Sequence, residues 1–200
     1  MASDKVLPGK PERNDWKKSV IMYLHDLLYM LMAMILVFLL FFRVIVVSGD
    51  SMYSTLLDGD YLLLLGNLFY QEPEHGDIVV ISKKAFDNGK PIVKRVIATE
   101  GQTVDIQDGI VYVDGIALEE EYINSQTYPY GGGGTQFPLT VEENCIFALG
   151  DNRGVSRDSR DPVIGQIDKR EVLGKAIFLM IPGTSHGDLP QDMGRIGVIK

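Results

Sequence analysis

From Leu27 to Phe42 the chain reads LLYMLMAMILVFLLFF, with no charge, glycine or proline, and after a single Arg43 the apolar character resumes from Val44 to Val47. No polar face interrupts the run, so it lacks the one-sided stripe of a helix packed on a soluble core. Leu27 to Val47 is 21 residues, about 31 Å at helical rise, which matches the thickness of a bilayer core. Arg43, near one end, can snorkel to the headgroups. The pattern predicts one transmembrane helix. No small-x-small cleavage site follows it, so it is read as an uncleaved signal anchor.

Beyond the anchor the helical period gives way to short β-branched runs punctuated by glycine and aspartate. DYLLLL, DIVVIS, PIVKRVIA, TVDI, IVYV, CIFAL and KAIFLMI each have the length and composition of a strand. Asp108-Gly109, between TVDI and IVYV, predicts a tight hairpin, and Asp114-Gly115 marks the next turn. The glycine run in YGGGGT, Tyr130 to Thr135, has no strand-turn-helix context for phosphate and reads as a flexible loop. LLLLGNLFY, Leu62 to Tyr70, is more apolar than a half-exposed strand requires. It fits a buried strand and its turn, or an apolar surface that meets membrane or substrate. The expected fold class is mainly β.

Charge orients the anchor. Lys5, Lys10, Arg13, Lys17 and Lys18 precede it, whereas after Ser48 the first basic residue is Lys83, which predicts a cytoplasmic amino terminus. The expected organisation is a cytoplasmic tail over 1–18, the anchor over 19–47 and an extracytoplasmic domain over 48–200. From Val44 onward there are 13 basic and 23 acidic residues, so this domain is acidic within a chain of net charge −8. Clustered basic residues for a phosphate backbone are missing, and nucleic acid is not an expected partner. The single Cys145 excludes an internal disulfide framework and a thiol metal cluster; its place in CIFAL suggests a buried core thiol.

Candidate chemistry centres on VVSGDSMYSTLLDGD, Val46 to Asp60, where Ser51 lies in a tight turn directly after the anchor. A serine hydroxyl is a poor nucleophile until a base takes its proton. His25 lies at the inner edge of the anchor, and His75 and His186 lie in polar loops; folding could bring either of the latter to Ser51. The alternative base is Lys94 in PIVKRVIA. On a strand it shares a face with Ile92 and Val96, and burial there would disfavour its ammonium form. An ordinary lysine is neutral only about 0.1% of the time near pH 7.4, so a working base needs a large downward shift. A solvated lysine at a strand edge remains the competing reading.

GDSMYSTL at 49–56, GDIVVIS at 76–82, VKRVIATEGQ at 93–102 and GDNRGVSRDSR at 150–160 resemble, in order and spacing, the type I signal peptidases, membrane-anchored Ser-Lys endopeptidases of bacteria. The resemblance runs from the anchor to about Pro182 and is closer to the Gram-positive, single-anchor form. It implies an antiparallel β-sheet catalytic domain that needs neither cofactor nor metal, with Ser51 as nucleophile and Lys94 as general base. Ser156 matches a serine that hydrogen-bonds the lysine amine. Asp158 and Arg160 match residues shaping the site, and Gly150 to Arg153 match a turn beside the dyad. Arg153 and Arg157 could equally be surface ion-pair residues.

Two positions depart from the family pattern. Ser54 stands where proline is frequent, which implies a less rigid turn. Gly49 stands where some members carry a serine that completes the oxyanion hole, leaving the Ser51 N–H with a backbone donor or a water. The implied substrates are secretory preproteins cut after small-x-small, usually Ala-x-Ala, sites. The implied partners are the lipid bilayer and, as a candidate, the translocation channel. Other Ser-Lys peptidases fit less well: a self-cleaving repressor needs a DNA-binding region where this chain has an anchor, and no Ser-x-x-Lys of the penicillin-binding type occurs. A tethered binding module that has lost turnover is the non-enzymatic alternative.

Overall fold

The computed structural model describes residues 15–131, 133–184 and 191–199. The chain divides into two compact units, residues 1–40 and 41–200. The first is built on one helix, α1 (Asp15–Phe41), about 40 Å long at helical rise. It is long and apolar enough to cross a membrane from Trp16 to Phe41.

The apolar run expected to stay helical to Val47 changes state earlier. Phe42–Val46 is strand β1, paired antiparallel with β2 (Tyr61–Gly66), and Val47 is buried in the core beyond it. Val44, Ile45 and Val46 are β-branched, and β2 offers backbone partners that a continued helix would not use. Hydrophobicity alone does not distinguish the two states.

The second unit is mainly antiparallel β, and the seven strand-like segments all form strands. They include β3 (Ile78–Ile81), β4 (Ile92–Thr99), β5 (Thr103–Gln107), β6 (Ile110–Val113), β9 (Cys145–Leu149) and β11 (Val172–Ile181). The short strands β7 (Ile116–Ala117), β8 (Leu139–Thr140), β10 (Ile167–Asp168) and β12 (Gly197–Val198) complete the set. The larger sheet runs β1-β2-β11-β3-β4-β9-β10, with β12 also on β11; the smaller runs β7-β6-β5-β8. Asp108 and Gly109 turn the β5–β6 hairpin with φ of 49° and 85°, the left-handed pair a two-residue loop requires.

Strand β4 is central, and Val93 through Ala98 are all buried. Val93 joins a core with Met52, Leu62 and Leu64, while Val96 joins another with Val79, Ile146 and Ala148. The face of β4 that carries Lys94 therefore looks into packed protein, with Val79 directly opposite on β3. Cys145 is only partly buried, at the start of β9 against the core around Phe147, because the first residue of the strand lies at the margin of that core. Leu68 and Phe69 lie in the exposed turn after β2, whereas Leu62 and Leu64 are fully buried.

Candidate active site

Ser51 lies in an irregular loop closed at its neck by two backbone bonds, Val47 N–H to Asp60 O at 2.8 Å and Gly59 N–H to Val47 O at 3.0 Å. Inside it, Met52 and Leu56 are buried apolar anchors. Tyr53 N–H donates to Asp50 O at 3.1 Å and Leu56 N–H to Met52 O at 2.9 Å. The loop is thus ordered from within, although Ser54 stands where the resemblance implies a proline.

The Lys94 amine donates to Ser51 Oγ at 2.7 Å and to its neighbour's carbonyl, Val93 O, at 2.8 Å. Lys94 is 2% exposed. Burial pushes its amine down from the usual 10.5 to about 8; the Asp158 and Asp151 carboxylates pull the other way, and the Arg160 guanidinium adds to the lowering. Both carboxylates are held by arginine. Arg160 pairs with both oxygens of Asp158 at 2.8 and 2.9 Å, and Arg95 with both of Asp151 at 2.9 and 2.8 Å. These pairs are nearly inaccessible to water, so Lys94 faces neutralised dipoles rather than bare anions, and desolvation prevails.

Gly150 shows how the pieces are brought together. A Cβ there would lie 2.2 Å from Ser156 Oγ and 2.4 Å from Ser51 O, so the two loops approach each other across a position that only glycine can occupy. Asn152 locks the approach: its backbone N–H donates to Ser51 O and its side chain to Asp50 O, both at 3.0 Å. Gly150 N–H donates to Asp158 Oδ2 at 3.1 Å. The expected residues Ser51, Lys94, Gly150, Ser156, Asp158 and Arg160 therefore share one site.

Ser156 departs from expectation. Its hydroxyl is buried and makes no hydrogen bond among the described residues, so the implied contact with Lys94 is not formed; the amine's two donated bonds go to Ser51 and Val93 instead. Gly49, which has no side chain to donate, also spends its backbone N–H on Asp58 Oδ1 at 2.7 Å. The Ser51 N–H has no backbone acceptor among the described residues. His75 Nδ1–H donates to Ile97 O at 2.7 Å in a structural contact, and His186 lies outside the described residues.

Two contributors, Glu120 and Tyr130, carry no signal in the sequence reading, whereas Arg153 belongs to the turn expected beside the site. Arg153 forks onto Glu120 at 2.9 and 2.5 Å and donates to Gly150 O at 3.1 Å, and it is buried rather than solvated. Arg157, by contrast, is 57% exposed in its pair with Asp161. Tyr130, from the glycine-rich segment, donates to Ser156 O and lies beneath the Arg160 guanidinium. The segment is thus tied to the site rather than simply free. The usable signal was the density of charges inside GDNRGVSRDSR and beside Lys94, because charges within apolar strands are retained only in pairs.

Next to Ser51 is a cavity of about 280 Å³ lined by Ile45 to Ser48 on one side and Lys90 to Val93 on the other. Strand β1 is at the edge of its sheet. Strand β9 pairs with β4 only from Arg95 onward, so among the described residues neither wall is closed by a strand across the cavity.

Residues 20–181 match the family described as signal peptidase, peptidase S26. A relative from Synechocystis sp., a probable signal peptidase I-1, is 35% identical over 173 residues, covering 80% of this chain and 83% of its own. Signal peptidase I of Bacillus licheniformis is 32% identical over 188 residues, covering 91% and 96%. The crystal structure of a signal peptidase I from Enterococcus faecalis is 28% identical, covering 52% of this chain and 96% of that one with a TM-score of 0.40. The chain belongs to the signal peptidase family, peptidase S26, and is a peptide hydrolase of that family.

Proposed function

We propose that this protein is a membrane-anchored serine endopeptidase that removes amino-terminal signal peptides from exported preproteins after small-x-small sites, through a Ser51–Lys94 dyad. The observation that carries the reading is the 2.7 Å contact between a serine hydroxyl and a buried lysine whose proton affinity is lowered to about 8. Once neutral, the amine keeps one N–H on Val93 O and turns its lone pair toward Ser51 Oγ. Ser51 attacks the scissile carbonyl as Lys94 takes the hydroxyl proton; Lys94 then hands that proton to the leaving amine. A water activated by the same lysine hydrolyses the ester. The Ser51 N–H is the oxyanion donor at the nucleophile, an interaction typically worth about 3 kcal/mol.

The cavity supports the substrate class. Ile45, Ile92 and Val93 make its walls apolar and its volume is about 280 Å³, which suits small side chains of an extended segment added beside the edge of β1. Location adds to this. Residues 42–50 separate α1 from Ser51, a link of about 30 Å at full extension. Val46, Tyr61 and Ile181 form a row across β1, β2 and β11 and are 49, 42 and 44% exposed, an apolar surface suited to lipid. The basic residues before α1 favour a cytoplasmic amino terminus and an extracytoplasmic site.

The test is cleavage of an Ala-x-Ala preprotein by the detergent-solubilised chain from pH 6 to 10. Activity should rise with a midpoint near 8 and vanish in Ser51→Ala and Lys94→Met. Substantial turnover by Lys94→Met, or a flat profile in the wild type, would remove Lys94 as the base.

A further inference from the structure

The geometry points to Arg195 as a positioning residue for the turn that carries Ser51. It lies in the carboxyl-terminal segment, beyond the residues 20–181 that match the family. The inference rests on the reading of Ser51 as nucleophile and extends it to a part of the chain that no motif marks.

The nucleophile loop closes at Asp60, whose side chain is fully buried. Its Oδ2 accepts from Leu57 N–H at 2.8 Å and its Oδ1 from Gly183 N–H at 2.6 Å. Arg195 forks onto both oxygens at 2.9 and 2.7 Å and also donates to Thr55 O at 3.3 Å. The guanidinium therefore holds the loop at two points, the closing carboxylate and the backbone four residues after Ser51. Thr55 passes the restraint on, because its hydroxyl donates to Asp151 Oδ2 at 2.5 Å and Asp151 is the partner of Arg95, next to Lys94.

Apolar packing is the other restraint, since Met52 and Leu56 are buried in a core against which Ile199 of the terminal segment also packs, but it is incomplete. A cavity of about 230 Å³ lined by Thr55, Leu56, Leu179, Arg195 and Gly197 to Ile199 lies between the loop and the terminal segment. The fork is thus the polar tie between the loop and the terminal segment beside that cavity. Arginine suits the task because its planar donors reach two carboxylate oxygens and a third acceptor at once, which a lysine cannot reproduce. A loop shifted by about 1 Å would lose the 2.7 Å Ser51–Lys94 contact, and displacements of that size cost on the order of 100-fold in rate.

The experiment compares the full-length, detergent-solubilised wild type with Arg195→Gln and Arg195→Lys in cleavage of an Ala-x-Ala preprotein, at a temperature where circular dichroism shows each folded. Arg195→Gln should lower kcat about tenfold or more, with KM within about twofold and the pH midpoint unmoved; Arg195→Lys should fall between. Wild-type kcat in the folded variants, with only a lower Tm, would overturn the proposal and leave Arg195 a purely structural residue. If Arg195→Gln does not fold, Arg195→Lys, which keeps a positive charge on Asp60, decides on the same criterion. Ser51→Ala is run in parallel, and turnover there would refute the nucleophile itself, a different failure from normal kcat in the Arg195 variants.

Discussion

Replacing Lys94 with methionine should abolish cleavage and at the same time stabilise the fold. Burial lowers the Lys94 amine from 10.5 to about 8. At about 1.4 kcal/mol per tenfold change in proton affinity, holding the ammonium in the folded state costs about 3 kcal/mol. The sign follows from linkage. Below pH 8 the amine is protonated in both states and the full cost is present. Between about 8 and 10.5 the folded state releases its proton first, so wild-type stability rises with pH, and above 10.5 the ionic cost is gone. Methionine fills similar volume without the charge but leaves Val93 O without the donor it has at 2.8 Å, a loss of about 1 kcal/mol. The net gain expected for Lys94→Met at pH 7 is about 2 kcal/mol. Urea unfolding of both proteins in detergent, followed by circular dichroism from pH 6.5 to 10, reads it directly. A domain of this size should show a midpoint raised by about 1 M at pH 7, with the gap narrowing as pH rises past 8. An equally stable or less stable variant, or a gap independent of pH, would refute the argument that desolvation sets the base.

Ser156→Ala separates the resemblance from the geometry: the hydroxyl is buried and has no partner among the described residues, so its removal should leave stability unchanged or raise it by about 1 kcal/mol, as measured by thermal unfolding. A loss beyond about 1 kcal/mol would mean that the hydroxyl is bonded in the folded protein. Gly150→Ala should act oppositely, because its Cβ would meet Ser156 Oγ at 2.2 Å and Ser51 O at 2.4 Å; the loops must part, and preprotein cleavage should fall on the order of 100-fold.

Much was determined by sequence alone because it depends on local pattern. The uninterrupted apolar run predicts a helix of spanning length, β-branched runs predict the strands, and Asp108-Gly109 predicts a turn that needs two positive φ values. Ser51, Lys94, Gly150, Asp158 and Arg160 were legible through the motifs that contain them. Tertiary structure decided what depends on long-range partners. The helix stops at Phe41 because β2 pairs with the residues that follow, and no count of apolar residues reveals that partner. The amine of Lys94 is poised because β4 is buried on both faces and nearby carboxylates are already engaged by Arg95 and Arg160. Arg153 is buried against Glu120 while Arg157, four residues away, remains exposed, although both looked alike in sequence. Desolvation and ion pairing depend on what surrounds a side chain, and the surroundings of these residues come from segments as far apart as Ser51, Lys94, Ser156 and Arg195.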